Sequence, residues 1–226
     1  MIPRVLKSTL RKVGGLVSTD PDRFLSDVTG LVHVGANTGQ ERAEYQAHGL
    51  KVLWIEPIPE VFARLSQNIA AFPRQRAFQA LITDIDDKVY DFHVSSNNGE
   101  SSSILELKHH RDIWPTVTHA SSLPIKSVTL ASFYKRERIA AADYQALVMD
   151  TQGSELLVLR GAAALLSGFQ YIKTEVPDFE SYAGCCQLSD MAEFMTGNGF
   201  KELSRQRFAK RDGGGSYYNI TFKRRG

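Results

Sequence analysis

Short, almost wholly apolar segments alternate with segments of helical periodicity along this chain. Strands are predicted over five of the apolar segments, namely 30–35, 51–56, 77–82, 144–150 and 169–176. Helices are predicted between and after them, over 38–48, 59–72, 154–166 and 188–195. Strands that lack polar alternation are buried on both faces, which is typical of a parallel sheet covered by helices on both sides.

The last part of the chain predicts a hairpin at one edge of that sheet. Segments 200–208 and 217–222 have the composition of strands, and Asp212 with the three glycines after it forms a strong turn signal between them. Hairpin strands are antiparallel, so we expect a doubly wound, mostly parallel α/β sheet with an antiparallel edge.

One region interrupts the alternation. Segments 88–94 and 125–130 alternate polar and apolar residues as half-exposed strands do. The stretch 95–124 between them is rich in Ser, Asn, Gly and His. A long polar connection inside a compact domain is usually functional, so we predict a substrate loop or lid, with a disordered surface insertion as the alternative.

Composition adds limits on size, partners and compartment. The 226 residues, 42% hydrophobic and 23% charged, predict a single domain over 1–226. A formal charge of +2 is too even to favour nucleic acid as a partner. No apolar run reaches the roughly 18–20 residues of a transmembrane helix. Cys185 and Cys186 are adjacent and are not expected to form a disulfide, which fits a cytoplasmic protein.

The first residues, 1–27, predict a helical extension to the domain. Leu6, Leu10, Val13 and Val17 fall on one helical face, and basic residues interrupt each apolar stretch, so we expect no signal peptide. The helix could cap the domain, or it could touch a membrane surface or a partner as a basic amphipathic segment.

A glycine turn follows the first predicted strand. Gly35 allows the chain to turn where a side chain would clash, and Gly39 allows the next helix to pack closely. Backbone N–H groups of such a turn suit a polar or negatively charged ligand. Twenty-one positions after Gly35, Glu56 ends the second predicted strand, where a carboxylate accepts both hydroxyls of a ribose. This spacing indicates a nucleoside-containing cofactor, and Asn37 in place of a dinucleotide motif's central glycine disfavours NAD.

The turn is the first of several segments that together carry a family resemblance. The later ones, in chain order, are Trp54-Ile-Glu-Pro57, Ser101-Ser-Ser-Ile-Leu105, Val128-Thr-Leu130, Val148-Met-Asp-Thr-Gln-Gly-Ser-Glu-Leu-Leu-Val-Leu-Arg-Gly-Ala162 and Thr174-Glu-Val176. Over roughly residues 28–204 the chain resembles the FkbM family of class I S-adenosylmethionine-dependent methyltransferases. His33 stands in the slot that is acidic in this class. The resemblance implies a seven-stranded class I methyltransferase fold and methyl transfer to oxygen.

The resemblance also implies roles for individual residues. In such folds the cofactor lies across the carboxyl ends of the strands, where the strand order reverses. Glu56 would hold the ribose, and Asp150 would lie beside the positively charged sulfonium. Asp150 could also cap the following helix, and Glu155 is expected to interact only with that helix dipole. The expected cofactor site comprises His33, Gly35, Asn37, Thr38, Gly39, Glu56, Pro57, Ala80, Leu81 and Asp150.

Methyl transfer to a hydroxyl requires alignment of the acceptor and removal of its proton. Candidate bases are Asp150, Glu175 and His93. Asp150 and Glu175 end neighbouring predicted strands and could instead hold Mg²⁺, but two ligands do not make a site, so no metal is predicted. Glu175 could alternatively be a buried carboxylate paired with Lys173 or an arginine.

The polar stretch contains two further groups of interest. Ser101, Ser102 and Ser103 could bind a polyhydroxylated acceptor, or they could cap a helix that begins near Ile104. His109 and His110 have no companion ligands at zinc spacing, so we predict that they are solvated loop residues.

Together these features predict an S-adenosylmethionine-dependent O-methyltransferase. The acceptor would be a small molecule or a glycan. The methylated group would be a hydroxyl of a sugar, a glycan or a secondary metabolite. The alternative is a non-catalytic nucleoside-binding or scaffold protein on the same fold. A homo-oligomer is compatible with the sequence.

Overall fold

The computed structural model describes residues 21–226, so the predicted helix at 1–17 lies outside the described residues. The described part of the predicted extension contains a short 3-10 helix, Arg23–Asp27. Its Phe24 and Leu25 are buried against the domain.

Ten strands and five α-helices make up the regular structure of residues 21–226. The strands are β1 (Gly30–Val34), β2 (Lys51–Glu56), β3 (Gln75–Gln79), β4 (Leu81–Thr83), β5 (Val89–Ser95), β6 (His119–Thr129), β7 (Ala146–Met149), β8 (Tyr171–Pro177), β9 (Phe200–Lys210) and β10 (Ser216–Arg224). The helices are α1 (Arg42–Ala47), α2 (Pro59–Ile69), α3 (Leu130–Arg136), α4 (Glu155–Gly161) and α5 (Leu188–Gly197).

Seven of these strands form one sheet in the order β3-β2-β1-β7-β8-β10-β9. The first five are parallel neighbours, and β10 pairs antiparallel with both β8 and β9. The mostly parallel sheet and its antiparallel edge are therefore confirmed. The chain builds outward from β1 in one direction and then returns to β7 on the other side of β1. This reversal of strand order creates a crevice at the carboxyl ends of β1 and β7, where ligands bind in open α/β sheets.

Both faces of the sheet are covered, which explains why its central strands are apolar throughout. Every residue of β1 is buried. Val32 shares one hydrophobic cluster with Leu159 of α4, whereas Leu31 shares the cluster on the opposite face with Leu65 of α2. Strands with two buried faces need apolar residues at successive positions rather than at alternate ones.

The segment predicted as a third strand is divided between two sheets. β3 pairs with β2 as far as Gln79, and the chain then leaves that sheet at Ala80. β4 begins at Leu81 and belongs to a smaller sheet of order β4-β6-β5. The prediction of one continuous strand over 77–82 was wrong because the two halves have different neighbours. The apolar pattern does not reveal that change of partner.

The polar loop is shorter than predicted and is packed against the domain. β6 already begins at His119, so the connection between β5 and β6 spans 96–118. It contains a 3-10 helix at His109–Asp112. Ser101, Ser103 and His110 in this loop are buried, which contradicts the alternative of a disordered insertion. We call residues 96–118 the β5–β6 loop.

Among the described residues, no helix has both the length and the apolar character needed to cross a membrane.

Candidate functional site

A cavity of about 370 Å³ opens at the carboxyl ends of β1, β2 and β7. Its volume falls in the range of about 300–1,000 Å³ that is typical of small-molecule pockets. Carboxylates and backbone groups line one part of its wall, and apolar side chains line another. The polar lining includes Asn37, Gln40, Glu41, Glu56, Glu100, Asp150 and Gln152, and the apolar lining includes Ile58, Leu81, Ile82 and Phe92.

The turn after β1 brings backbone to the floor of this cavity. Gly35 has a φ of +77°, and its N–H donates to the carbonyl of Ile55 at 3.0 Å. A Cβ atom at Gly35 would lie 1.9 Å from the backbone oxygen of Asp150. At Gly39, which has a φ of +71°, a Cβ atom would lie 2.7 Å from the Leu65 side chain. The predicted reason for Gly35, a tight turn, is therefore confirmed, whereas the close contact at Gly39 is with α2 and not with the helix that follows the turn.

Replacement of Gly35 by Ala is expected to destabilise the fold by about 2–4 kcal/mol, because it adds an overpacking clash to an unfavourable backbone conformation. The free energy of unfolding in urea measures this effect. Gly197→Ala is the matched control, since in the described part of the chain no atom outside its own helix and chain neighbours lies within 4 Å of its added Cβ and its φ is not positive. Equal stability of Gly35→Ala and the unaltered protein would contradict the close approach of the two backbones.

The same turn shortens the predicted first helix. Asn37 has a φ of +44°, and its side-chain oxygen accepts a hydrogen bond from the Thr38 N–H at 2.7 Å. With Gly39 also at positive φ, residues 38–41 form turns, and α1 begins only at Arg42. The prediction that a helix begins at Thr38 was therefore wrong. Thr38 and Gly39 support the turn but do not line the cavity.

Glu56 ends β2 and is held by two backbone groups. The Asn37 N–H donates to its Oε2 and the Ile58 N–H to its Oε1, both at 2.9 Å. The side chain is buried yet lines the cavity. Each oxygen of a carboxylate offers two lone pairs, so each can accept one further hydrogen bond from a ligand. Burial raises the pKa of Glu56 to about 7, and the two N–H donors oppose that rise.

Asp150 follows β7 and lines the cavity. Burial raises its pKa to about 7, the hydrogen bond from the Gln152 side chain opposes this rise, and the charge of Glu155 adds to it. The alternative in which Asp150 caps α4 is wrong, because the helix cap position is Ser154. Glu155 does more than interact with the helix dipole, since its carboxylate accepts the N–H groups of Thr151 and Gly153 and so shapes the turn.

Glu175 lies on β8 beside Asp150 but does not line the cavity. Burial raises its pKa well above the usual value, the charge of Asp150 raises it further, and hydrogen bonding with Gln152 lowers it. The suggested partner Lys173 instead donates to Asp22, although its charge still lowers the pKa of Glu175. Glu175 therefore lies next to Asp150 without lining the cavity.

Other expected cofactor residues line the cavity at defined places. His33 is buried on β1, and its ring stacks on Trp54 with a centroid distance of 5.1 Å. The Tyr45 hydroxyl lies 3.3 Å from Nδ1 of His33, so the imidazole in the normally acidic slot is held by aromatic neighbours. Pro57, Ala80 and Leu81 also line the cavity.

The three predicted acceptor serines have different surroundings. Ser102 lines the cavity, and its hydroxyl accepts the Ser95 N–H at 3.0 Å. Ser101 is buried against Nε2 of His110 at 3.1 Å, and Ser103 donates to the carbonyl of Gln152 at 2.8 Å. No helix begins near Ile104, so the capping alternative was wrong.

Two histidines, His93 and His110, lie in surroundings that differ from those predicted for them. Phe92 lines the cavity, and His93 is the next residue on β5, so its side chain points to the opposite face of the strand. His110 is buried, and its Nδ1 lies 2.8 Å from the Tyr217 hydroxyl. The prediction that His110 is solvated was wrong. Burial lowers its pKa to about 4, so it is neutral at ordinary pH.

Several residues that line the cavity were not predicted from the sequence. Gln40 and Glu41 belong to the turn that was predicted as helix, and Glu100 belongs to the β5–β6 loop. Ile58 and Phe92 form part of the apolar wall. The alternation along β5 was a usable signal for Phe92, because it places Tyr90, Phe92 and Val94 on one face.

Comparison with known proteins shows which family this chain resembles. The model of the methyltransferase FkbM domain matches residues 33–202. The curated 2-O-methyltransferase NoeI of Sinorhizobium fredii is 26% identical over 173 residues, which cover 73% of this chain and 70% of that protein.

Two solved structures share the fold. TrmK of M. capricolum, in complex with S-adenosyl-homocysteine, gives a TM-score of 0.52 at 8% identity over 93% of this chain and 70% of its own. Precorrin-6y C5,15-methyltransferase of Geobacter metallireducens gives a TM-score of 0.50 at 10% sequence identity. The match covers 91% of this chain and 87% of that protein. The family model matches more than half of this chain, so the chain belongs to the methyltransferase FkbM family.

Proposed function

We propose that this protein transfers a methyl group from S-adenosylmethionine to a hydroxyl oxygen of a sugar-containing acceptor. The observation that carries the proposal is Glu56, a buried carboxylate fixed by two N–H groups at the edge of an open cavity. The relation to a 2-O-methyltransferase supports oxygen as the atom that is methylated.

The cavity has suitable groups for each part of that cofactor. The remaining lone pairs of Glu56 suit the two ribose hydroxyls. Ile58, Leu81 and Phe92 offer an apolar surface for the adenine ring. Asp150 provides negative charge for the sulfonium, and Glu41 is a second carboxylate on the cavity wall that could meet the amino group of the methionine moiety.

When bound, S-adenosylmethionine supplies an activated methyl group on its sulfonium. The protein's own residues then have two tasks, which are to align the acceptor oxygen and to accept its proton. Asp150 is the candidate base that lines the cavity, whereas His93 lies on the other face of β5. The acceptor hydroxyl would lose its proton to a carboxylate oxygen of Asp150 while its oxygen takes the methyl group, and cleavage of the sulfur–methyl bond would leave S-adenosylhomocysteine as the neutral product. A base with a pKa near 7 is well matched to this step.

Discrimination between S-adenosylmethionine and S-adenosylhomocysteine is expected to increase as the pH rises from about 6 to about 8. The raised pKa values near 7 mean that Asp150 and Glu56 lose their protons across this interval. Only S-adenosylmethionine carries the sulfonium charge. The ratio of its affinity to that of S-adenosylhomocysteine should therefore rise by roughly five- to tenfold. Calorimetric titrations of both ligands across this pH range measure the ratio, and a ratio independent of pH would contradict the role of Asp150.

Turnover tests the proposed reaction. Methyl-labelled S-adenosylmethionine is incubated with the protein and a panel of mono- and oligosaccharides, each paired with its 2-deoxy counterpart. We expect label to appear on a sugar that has a free 2-hydroxyl and to be absent from its 2-deoxy control. Cofactor binding without transfer to any hydroxyl would favour a non-catalytic nucleoside-binding protein.

A further inference from the structure

A second group of ligating side chains lies outside the cavity. His93 on β5 and His119 on β6 stack with a ring-centroid distance of 4.5 Å and an angle of 5° between their planes. Glu106 reaches them from the β5–β6 loop. The mechanism proposed for methyl transfer uses none of these three residues.

The spacing of their donor atoms suits one small cation. Oε1 of Glu106 lies 3.3 Å from Nε2 of His93, and its Oε2 lies 3.4 Å from Nδ1 of His119. Two ligands of a tetrahedral ion with bonds of about 2.0–2.1 Å are themselves about 3.3–3.4 Å apart. One nitrogen of each ring and a carboxylate oxygen all lie within 4.8 Å of one another.

His119 is also incompletely satisfied by the protein. Its Nε2 is buried and has no hydrogen-bond partner among the described residues. The His93 and His119 side chains are only 17% and 21% exposed, whereas Glu106 is 66% exposed and gives solvent access to the cluster.

We propose that His93, Glu106 and His119 form a binding site for a divalent transition-metal ion of the zinc class. Two imidazoles and one carboxylate suit borderline ions such as Zn²⁺, whereas Mg²⁺ and Ca²⁺ prefer all-oxygen sites. Three protein ligands leave at least one position for water.

The position of the site gives the ion a structural consequence. Glu106 belongs to the loop, whereas both histidines belong to the two strands that the loop connects, so a bound ion would tie the loop to its own hairpin. The same loop contributes Glu100 and Ser102 to the cavity wall. Metal binding would therefore restrain the part of the cavity wall that this loop forms.

Titration of the chelator-treated full chain with Zn²⁺ tests the site, with Co²⁺ absorption as a second readout of coordination. We expect one ion per chain. The affinity for Zn²⁺ should fall by about 100-fold in both Glu106→Gln and His119→Ala, because loss of a residue that only hydrogen-bonds a metal ligand already lowers metal affinity by about 10- to 100-fold. His109→Ala is the matched control, because His109 also adjoins a carboxylate, Asp112, but within residues 21–226 this pair belongs to no cluster of three ligating side chains.

Protection of the β5–β6 loop from a protease provides a second test of the site. Cleavage of the loop should slow when Zn²⁺ is added to the unaltered protein, and should not change in Glu106→Gln. Glu106 is exposed, so this variant is expected to fold, and thermal unfolding checks that it does. Absence of saturable Zn²⁺ binding, or binding unchanged in both ligand variants, would overturn the proposal. Neither result depends on methyl transfer.

Discussion

Replacement of Asp150 by Asn is expected to lower the rate of methyl transfer by about 10²- to 10⁴-fold, the usual contribution of a general base. The amide keeps an oxygen that can accept the hydrogen bond from Gln152, so the turn after β7 should remain intact. It removes both the proton acceptor and the negative charge beside the sulfonium. The rate is measured with the acceptor identified in the sugar panel.

Binding measurements distinguish these two losses. The affinity for S-adenosylhomocysteine should change little in Asp150→Asn, because this ligand lacks the sulfonium charge. Asp91→Asn on the exposed part of β5 is the matched control and should keep full activity. A variant Asp150→Asn that transfers methyl groups at the rate of the unaltered protein would exclude Asp150 as the base.

Replacement of Glu56 by Gln should weaken binding of S-adenosylhomocysteine by about 100-fold. A hydrogen bond to a charged group contributes about 1.5–3 kcal/mol, and the amide can replace only one of the two acceptor oxygens. The amide nitrogen would also face a backbone N–H, from either Asn37 or Ile58, that now donates to the carboxylate. Calorimetric titration of the variant at pH 8 measures the change.

The matched control for this variant lies four residues further along the chain. Glu60 is an exposed residue in the first turn of α2, outside the cavity, so Glu60→Gln should bind as the unaltered protein does. Thermal unfolding of Glu56→Gln shows whether the fold survives. A folded Glu56→Gln with undiminished affinity would mean that the ribose is not held at this carboxylate.

The parts of the fold that sequence predicts well are those set by local pattern. β2 was predicted with its observed bounds because both of its faces are buried, and the final hairpin because glycines mark its turn. Glu56 was found because it ends a clear strand at a recognised spacing from Gly35.

The errors arise where distant residues decide the structure. The break at Ala80 depends on pairing of β4 with β6, more than forty residues later. His110 is buried because Tyr217, 107 residues away in sequence, supplies its partner. His93, Glu106 and His119 likewise come together only through the hairpin of β5 and β6. No spacing rule within the sequence identifies such contacts.

Calorimetric titration of the full chain with S-adenosylhomocysteine at pH 8 tests most directly whether the cavity between Gly35 and Glu56 is a cofactor site. We expect saturable binding of one molecule per chain, and competition by S-adenosylmethionine. A folded protein that binds neither compound would contradict the assignment of this cavity and the reaction proposed for it.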